Sequence, residues 1–384
     1  MAEAVPTLPR EELIAEPVSE VGLMSQWKLM ALRFRRNKLA MIGLVGLIIM
    51  YTIMALAPFL SPNDYRYQDR NYVSGPPTPI VFHDAQGKFT LQPHAIAITT
   101  DLDPVAFKFV FTRDDSTLYP IKLFVKGDPY TLLGFIKGDV HLFGISAEGP
   151  TRLYPFGADP LGRDMMARVL QGGQISMTVG LVGVAMSIIF GSIMGTASGY
   201  YGGVVDDVMQ RLIEVIASFP TVPLWAALAA ALPTASSTFT PLHRYFLITV
   251  ILSLVNWTGL ARQLRGKVMS YSNSDFVMSA LACGANDRRI IFVHMLPNAA
   301  SHIIVVAALA IPGMILGETQ LSFLGLGILP PLVSWGALLK DAQQVSVVIQ
   351  QPWLIIPGIA VIITVLLFSF LGDGLRDAVD PYSI

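Results

Sequence analysis

The chain contains few charged residues and a single cysteine. Of its 384 residues, 14% are charged and 53% are hydrophobic, whereas soluble domains are about 25% charged. This composition, with a mean hydropathy of +0.56, excludes an ordinary soluble protein and predicts a polytopic membrane protein. Because Cys283 is alone, the chain can form no internal disulfide. We expect it to be a small buried residue rather than a reactive thiol.

The sequence also lacks the motifs of nucleotide, metal and nucleophile chemistry. Its formal net charge is −1, and no strongly basic domain stands out, which argues against a nucleic-acid partner. It has no G-x-x-x-x-G-K-[ST] phosphate loop, no G-x-G-x-x-G, no H-E-x-x-H and no spaced Cys/His metal set. The run LQGGQ at 170–174 is similar to an ATPase signature, but it abuts a membrane span. We therefore predict that the chain is not an enzyme and holds no cofactor or metal.

Apolar segments predict six transmembrane helices. They cover 39–60, 175–200, a segment from 206 to 233 that is interrupted by prolines, 246–261, 301–317 and 353–370. Basic residues precede the first span and follow the fourth, so the positive-inside rule places both termini in the cytoplasm. Residues 20–38 predict a basic amphipathic helix on the inner membrane surface, with a plain charged flank as the open alternative.

The hydropathy pattern divides the chain into five parts. Residues 1–38 form a cytoplasmic tail with the amphipathic helix, 39–60 the first span, and 61–171 an insertion between the first two spans. Residues 172–372 form the core of spans two to six, with a cytoplasmic loop at 272–297, and 373–384 form a cytoplasmic tail. Strand signals at 80–82, 89–91, 105–112, 118–125 and 139–145 predict that the insertion is β-rich. Because the N-terminus is expected inside, the insertion that follows the first span is expected to be extracytoplasmic. Its core is expected to contain Phe107, Phe109, Phe111, Tyr119, Phe124, Tyr130 and Phe135.

The loop between the fourth and fifth spans predicts two short hinged helices. Ser272 and Asp275 make an S-x-x-D helix start. Gly284 lies where a left-handed stop is expected, and Asn286 can cap a second helix. Pro297 is expected to end that helix. A loop that only reconnected two spans would need about two to eight residues. We therefore predict that this longer, ordered loop is a docking surface.

This loop resembles the E-A-A-x3-G-x9-I-x-L-P segment of importer permeases of the ATP-binding cassette (ABC) class. Ala280, Gly284, Leu296 and Pro297 match the pattern. Three positions depart from it: Met278 replaces the glutamate, Ser279 the first alanine and His294 the isoleucine. The resemblance implies that the loop contacts an ATPase through Met278, Ser279, Ala280, Gly284, Ala285, Asp287, Leu296 and Pro297. The ionic contact of the family's glutamate cannot be carried over.

Two further segments resemble the dipeptide and oligopeptide permeases of this class. One is FGADPLGRD at 156–164, a tight charged turn in which Arg163 can pair with Asp159 or Asp164. The other is the glycine-rich run LSFLGLG at 321–327, followed by PP at 330–331 and SWG at 334–336. The resemblance implies an all-α permease with a β-rich insertion, in a bacterial inner membrane. It also implies a second similar permease, two ATPase subunits and a solute-binding protein as partners, with peptides as substrates.

An ion-coupled secondary transporter is the alternative. Such a carrier needs a carboxylate at membrane depth, and only Glu214 and Glu318 lie near it. Both fall near predicted helix ends, so we expect them at the interface with water. A receptor or structural protein that uses the insertion for adhesion is the third class. The pocket would be shared with the second permease, so this chain alone leaves the substrate-binding residues unknown.

Overall fold

A computed structural model describes residues 26–84, 86–105, 109–145, 152–233 and 239–379. Several predicted parts lie outside these ranges. They are residues 1–25 of the N-terminal tail, which include the start of the amphipathic helix, residues 380–384 of the C-terminal tail, Phe107, and part of the turn before the fourth span. Helix α1 (Gln26–Arg36) confirms the described part of the amphipathic helix. The first span is α2 (Lys38–Ala55), capped by Asn37, and the short α3 (Ala57–Leu60) follows it.

The remaining structure is mostly helical. After the sheet come α4 (Met165–Tyr201), α5 (Gly203–Ala217), α6 (Thr221–Ala230) and α7 (Pro241–Ser272). Next are α8 (Asp275–Ala282), α9 (Asp287–Arg289), a π-helical turn (Ile290–Met295) and α10 (Leu296–Phe323). The chain then forms α11 (Trp335–Leu339), α12 (Val345–Gln350) and α13 (Ile356–Val379), with 3₁₀ turns at Lys340–Ala342 and Pro352–Ile355.

In the described ranges, five helices are long and apolar enough to cross a bilayer, and α5 with α6 makes a sixth if the pair is one span. This pair bends by 82° at Phe219-Pro220, where the sequence predicted a broken helix. Proline cannot donate the helical hydrogen bond, so the chain turns there. The sequence Pro312-Gly313 predicts an interruption of the fifth span, but helix α10 contains Pro312 without ending at it, so that prediction is wrong.

The core of the bundle lies between α4, α6, α7 and α10. Val179, Trp225, Leu252 and Met314, one from each helix, are buried there. Helix α4 approaches α7 through a row of small residues, since a Cβ added at Gly195 would lie 2.4 Å from the Ala261 carbonyl oxygen. Similar additions at glycines one turn away would also collide with the α7 backbone (Gly191 and Gly199). Glycines that recur through the second span predict such a close approach of neighbouring helices, and the contact between α4 and α7 confirms it.

The insertion contains a four-stranded antiparallel sheet in the order β1-β2-β3-β4. Its strands are β1 (Ile80–His83), β2 (Phe89–Leu102), β3 (Phe109–Leu132) and β4 (Ile136–Ile145). Strands were predicted at 105–112 and 118–125; residues 109–112 of the first and all of the second fall within the single strand β3, while Val105 lies outside it. Between them Asp114 accepts hydrogen bonds from the Ser116 amide and the Thr117 hydroxyl, at 3.1 and 2.8 Å. The polar residues therefore form a bulge rather than a turn.

The aromatic residues of the insertion divide between its core and its surface. Phe111 packs against Tyr72, which stacks on Tyr154 with ring centroids 4.4 Å apart. Phe124 and Phe135 are 65% and 73% exposed, so the expectation that they are core residues is wrong. Phe135 follows the β3–β4 turn, and Phe124 has a positive φ that directs its ring towards Phe59 of α3.

Candidate functional site

The candidate site is the segment from 273 to 297, called here the coupling segment. It begins where α7 ends at Ser272, and α8 follows with Ser274 at the N-cap position. The Ser274 hydroxyl donates to the Tyr271 carbonyl at 2.5 Å. The predicted start at Ser272 is therefore wrong by two residues, because that serine still belongs to α7 and its hydroxyl donates back to Met269.

Gly284 ends α8 in the manner that the sequence predicted. Its φ is +78°, a left-handed conformation that glycine adopts without a Cβ penalty. The Gly284 amide donates to Leu281 at 2.9 Å and the Ala285 amide donates to Ala280 at 3.0 Å. These two bonds are the Schellman pattern that satisfies the last carbonyls of a helix. The hinge is thus fixed by backbone geometry.

The second helix starts as predicted but does not stop at Pro297. The Asn286 side chain accepts a hydrogen bond from the Arg289 amide at 2.9 Å. From there the chain is helical through α9, the π-helical turn and α10. Pro297 lies in the first turn of α10, directly after the wider π-helical turn. There its ring and its missing amide are tolerated, so the coupling segment continues directly into the fifth span.

The inner face of the coupling segment is packed against the spans. Val277, Ile290 and Met295 are each buried and form a cluster with Val268 of α7. Partly buried residues complete this cluster: Tyr200, Tyr271, Ala280 and Ala285. Two short helices would be marginal alone in water, so this apolar cluster holds them against α7 and the end of α4.

The opposite face of the coupling segment exposes large apolar side chains. Met278 is 54% exposed and Phe292 is 61% exposed. Phe276, Leu281 and Val293 are exposed as well. Exposed apolar residues that lie together on one surface are typical of an interaction site. Cys283 is also exposed, so the expectation that it is buried is wrong; it lies at the C-cap of α8, beside the hinge.

The structure brings most of the predicted contact residues onto α8 and the hinge. Ser279 is exposed beside Met278, and Leu296 and Pro297 lie at the start of α10, half-buried and exposed respectively. Asp287 is exposed, and its carboxylate accepts a hydrogen bond from the Tyr200 hydroxyl at 2.9 Å. This bond ties the hinge to the end of α4. Asp287 therefore positions the coupling segment.

An ion pair near the coupling segment joins three helices. Arg265 of α7 donates two hydrogen bonds to the Asp206 carboxylate of α5. The Ser198 hydroxyl of α4 donates to the same carboxylate. A two-pronged guanidinium–carboxylate contact fixes geometry as well as charge. Sequence reasoning assigned Asp206 and Arg265 only to helix ends and missed their pairing.

The charged turn before α4 is built around two buried carboxylates. Asp159 pairs with Arg163 at 2.7 Å and with Arg168 at 3.1 Å, so one of the two predicted Arg163 pairings is confirmed. Asp164 instead caps α4 by accepting from the Met166 amide at 2.9 Å. It also accepts from Asn63, at 2.9 Å. Burial raises the pKa of Asp164 to about 7, against these hydrogen bonds, which lower it.

Glu318 contradicts the expectation of an interfacial carboxylate. It is 0% exposed within α10 and accepts hydrogen bonds from the Ser176 hydroxyl of α4 at 2.9 Å and the Ser322 hydroxyl at 2.6 Å. Ser176 in turn accepts from the Trp335 amide at 3.1 Å. Ser322 also accepts from the Ile328 amide, at 3.0 Å. The carboxylate thus links α4, α10 and the glycine-rich segment, and is not free to bind a transported ion.

Glu214, the other carboxylate considered, is exposed and pairs with Arg211 at 2.9 Å. Within the described ranges, no three His, Cys, Asp or Glu side chains are arranged to hold a metal ion. The coupling segment is ordered, with one face packed on the spans and the other exposed.

Two protein families match parts of the chain. Residues 187–382 match the family described as "Binding-protein-dependent transport system inner membrane component". Residues 25–77 match the "N-terminal TM domain of oligopeptide transport permease C". The two matches cover both sides of the insertion.

Similar curated proteins are transport permeases. The oligopeptide transport system permease protein OppC of Haemophilus influenzae is 42% identical over 228 residues, which are 59% of this chain and 70% of that protein. OppC of Bacillus subtilis is 29% identical over 368 residues, 96% of this chain and 93% of that protein. The dipeptide transport system permease protein DppC of Alkalihalophilus pseudofirmus is 37% identical over 235 residues, 61% of this chain and 74% of that protein.

Among solved structures, the inward-facing MetNI methionine ABC transporter is similar. The match covers 56% of this chain and 98% of that chain, with 16% identity and a TM-score of 0.39. A score this low does not establish a shared fold.

Proposed function

The chain belongs to the family of binding-protein-dependent inner-membrane components, the permease subunits of ABC importers, and from that membership we propose that its coupling segment is the docking surface for an ATPase. The chain is not itself an enzyme; ATP hydrolysis belongs to partner subunits, and a substrate-binding protein is a further partner. The observation that carries the proposal is the two-faced coupling segment, locked to the spans on one side and apolar and exposed on the other.

The proposed contact is apolar where the family pattern has a glutamate. Met278 projects from α8 with Leu281 one turn away, and both are exposed. Methionine is flexible and polarisable, and it adapts to irregular apolar surfaces. We therefore propose that Met278 enters an apolar groove of the ATPase, with Ser279 beside it and Gly284 setting the angle of α8. Ala280 and Ala285 lie under this surface and support it.

Motion at the coupling segment has a direct path into the membrane domain. Because the helix from Asp287 continues through Pro297 into α10, displacing its first turn displaces the fifth span. Val277 and Tyr200 carry the same displacement to α7 and α4. Packed interfaces of this kind switch between discrete arrangements. We propose that closure of two ATPase subunits tilts these helices and alternates access to the pore.

Three finer points complete the proposal. The relatives' printed names support peptides as the transported solute. A second similar permease is proposed to complete the pore, because one chain presents only part of a wall. Both termini and the coupling segment are proposed to face the cytoplasm, where Arg262, Arg265 and Lys267 fit the positive-inside rule. The sheet is then extracytoplasmic.

Gly284→Pro tests the docking role. Proline fixes φ near −65°, whereas Gly284 has φ +78° and donates to Leu281. We expect normal membrane insertion, but loss of solute uptake and of the stimulation of ATPase activity by solute and binding protein. Gly87→Pro is the matched control, since Gly87 has φ +77° and donates to Asp84 in the β1–β2 hairpin. Unchanged uptake in Gly284→Pro, or equal loss in both variants, would refute the proposal.

A further inference from the structure

A cavity of 700 Å³ lies between α1, α7, α10 and α13. It is bordered by the parts of α7 and α10 that lead into and out of the coupling segment, at Lys267 and Asn298. Helix α1 is tied beside it by two contacts. Asn37 donates to Asp377 at 3.1 Å, and the Ser301 hydroxyl lies 3.6 Å from the Met30 sulfur. The cavity is therefore a defined gap between packed helices, of a size that holds a small molecule.

The polar side of the cavity is cationic. Arg33, Lys267 and Arg376 line it, one from each of three helices, and no carboxylate is among its described lining residues. Across the described part of the chain, neither Lys267 nor Arg376 is in an ion pair. The buried Nε2 of His302, another lining residue, has no hydrogen-bond partner there. The Lys267 and Arg376 cations and the unpartnered ring nitrogen of His302 call for an oxygen-rich anion.

The cavity is also lined by apolar side chains. They are Leu29, Val305, Val306 and Leu309. A free inorganic anion would contact the cations and leave these apolar side chains uncovered. A molecule with an anionic head and a hydrocarbon chain contacts both kinds of lining residue, and basic pockets between membrane helices bind such headgroups. The ligand that fits is an anionic phospholipid of the surrounding bilayer.

We propose that this cavity binds the phosphate of an anionic phospholipid between Lys267 and Arg376, with an acyl chain along its apolar lining residues. The bound lipid bridges α1 and α13 to α7 and α10. It holds the helices that carry the coupling segment at a fixed separation. The site is distinct from the docking surface, since none of the proposed contact residues lines the cavity.

Lipid binding is measured directly by native mass spectrometry of the full-length protein in its detergent-purified complex. Dioleoylphosphatidylglycerol and dioleoylphosphatidylcholine are titrated separately, with and without inorganic phosphate. The test variant is Lys267→Gln with Arg376→Gln. The control is Arg35→Gln with Arg262→Gln, which removes the same charge from exposed residues of α1 and α7 that do not line the cavity.

We expect phosphatidylglycerol to bind in preference to phosphatidylcholine. In the test variant its dissociation constant is expected to rise roughly thirtyfold, because each basic residue near an anionic headgroup increases the affinity about fivefold. The control variant is expected to change the dissociation constant less than twofold. Equal weakening in both variants would show only diffuse surface attraction and would overturn the site. Displacement by millimolar inorganic phosphate would assign the cavity to a free anion and would also overturn it.

The acidic N-terminal tail could fill the same cavity in place of a lipid, and the same assay distinguishes the two occupants. Glu11, Glu12 and Glu16 lie in this tail, before α1. If lipid binds only after all three are changed to Gln, the tail fills the cavity and the lipid proposal fails. Binding that is the same with and without these changes supports it. The measurement needs no transport or ATPase activity, so its outcome does not depend on the docking proposal.

Discussion

At the scale of single residues, the two aspartates of the turn before α4 have different roles. Asp159 is fully buried and forms ion pairs with Arg163 and Arg168, so its negative charge is compensated by theirs. Asp164 caps α4, and the side chain that reaches it is the amide of Asn63. A buried carboxylate whose hydrogen-bond donors are all neutral amides favours its neutral form. Its pKa of about 7 follows from burial.

The raised pKa predicts a pH-dependent stability. The folded protein holds the Asp164 proton more tightly than the unfolded chain does. The stability contributed by this group is therefore complete below about pH 4 and is lost as pH rises through about 7. The slope is at most about 1.4 kcal/mol per pH unit. Asp164→Ser keeps a capping hydroxyl and removes the titration.

Thermal unfolding of the detergent-purified protein between pH 5 and pH 8 measures this effect. We expect the midpoint of the natural protein to fall more steeply with rising pH than that of Asp164→Ser. Parallel pH profiles for the two proteins would show that Asp164 is ionised throughout, and the assigned pKa would be wrong.

Local residue roles could be predicted from the sequence, and distant partnerships could not. Gly284 and Asn286 act through atoms within five residues, so their types and spacing determined their roles. Glu318 is different, because its partner Ser176 lies 142 positions away in the chain. Hydropathy near Glu318 indicated only the end of an apolar run. Nothing local indicated that two serines and the glycine-rich segment would enclose it.

At the scale of elements, the contact between α4 and α7 depends on glycines of α4, which have no side chain. Gly191, Gly195 and Gly199 repeat at four-residue intervals along α4, each facing α7 backbone atoms within 3 Å of an added Cβ. Such contacts let two helices pack through their backbones. They also place α7, and with it the coupling segment, at a fixed distance from α4.

Gly195→Ala tests this contact. The added methyl would lie 2.4 Å from the Ala261 carbonyl oxygen, so the helices must separate. We expect a loss of stability of about 1–3 kcal/mol, seen as a lower thermal midpoint in detergent. Gly259→Ala is the matched control on α7, where an added Cβ meets nothing within 4 Å. There we expect no loss, or a gain of up to about 1 kcal/mol from helix propensity. Equal midpoints for the two variants would contradict the backbone contact.

The extents of the elements were predicted less well than their existence. The second span was expected at 175–200, whereas α4 is Met165–Tyr201, and α7 likewise extends beyond both ends of the fourth span. Hydropathy marks the part of a helix that suits lipid, while backbone hydrogen bonds continue into the polar ends. Pro297 has a different explanation. It was predicted to end a helix, but it lies in the first turn of α10, directly after a π-helical turn, where its ring is tolerated.

At the scale of the whole molecule, the sheet and the coupling segment are attached to the helices by different interactions. The sheet is held by separate side-chain contacts, such as the Asp128–Arg152 pair at 2.6 Å and the Phe124 ring beside Phe59 of α3. The coupling segment is held by an apolar cluster and a continuous helix. Sequence patterns predicted both units, but not these attachments, which join residues far apart in the chain.

The central claim is that the coupling segment faces the cytoplasm and is covered by an ATPase. Cys283, the only cysteine of the chain, is exposed in this segment and reports on both points without mutation. The reagent is a membrane-impermeant maleimide, applied to right-side-out and inverted membrane vesicles, with and without the ATPase subunits. Cys283→Ser with Val105→Cys is the control for the opposite side, since Val105 is exposed in the insertion.

The account predicts that Cys283 is modified only in inverted vesicles, and at least several-fold more slowly when the ATPase subunits are assembled. The control cysteine at position 105 should react only in right-side-out vesicles. Modification of Cys283 in right-side-out vesicles, or a rate that the ATPase subunits leave unchanged, would contradict the claim.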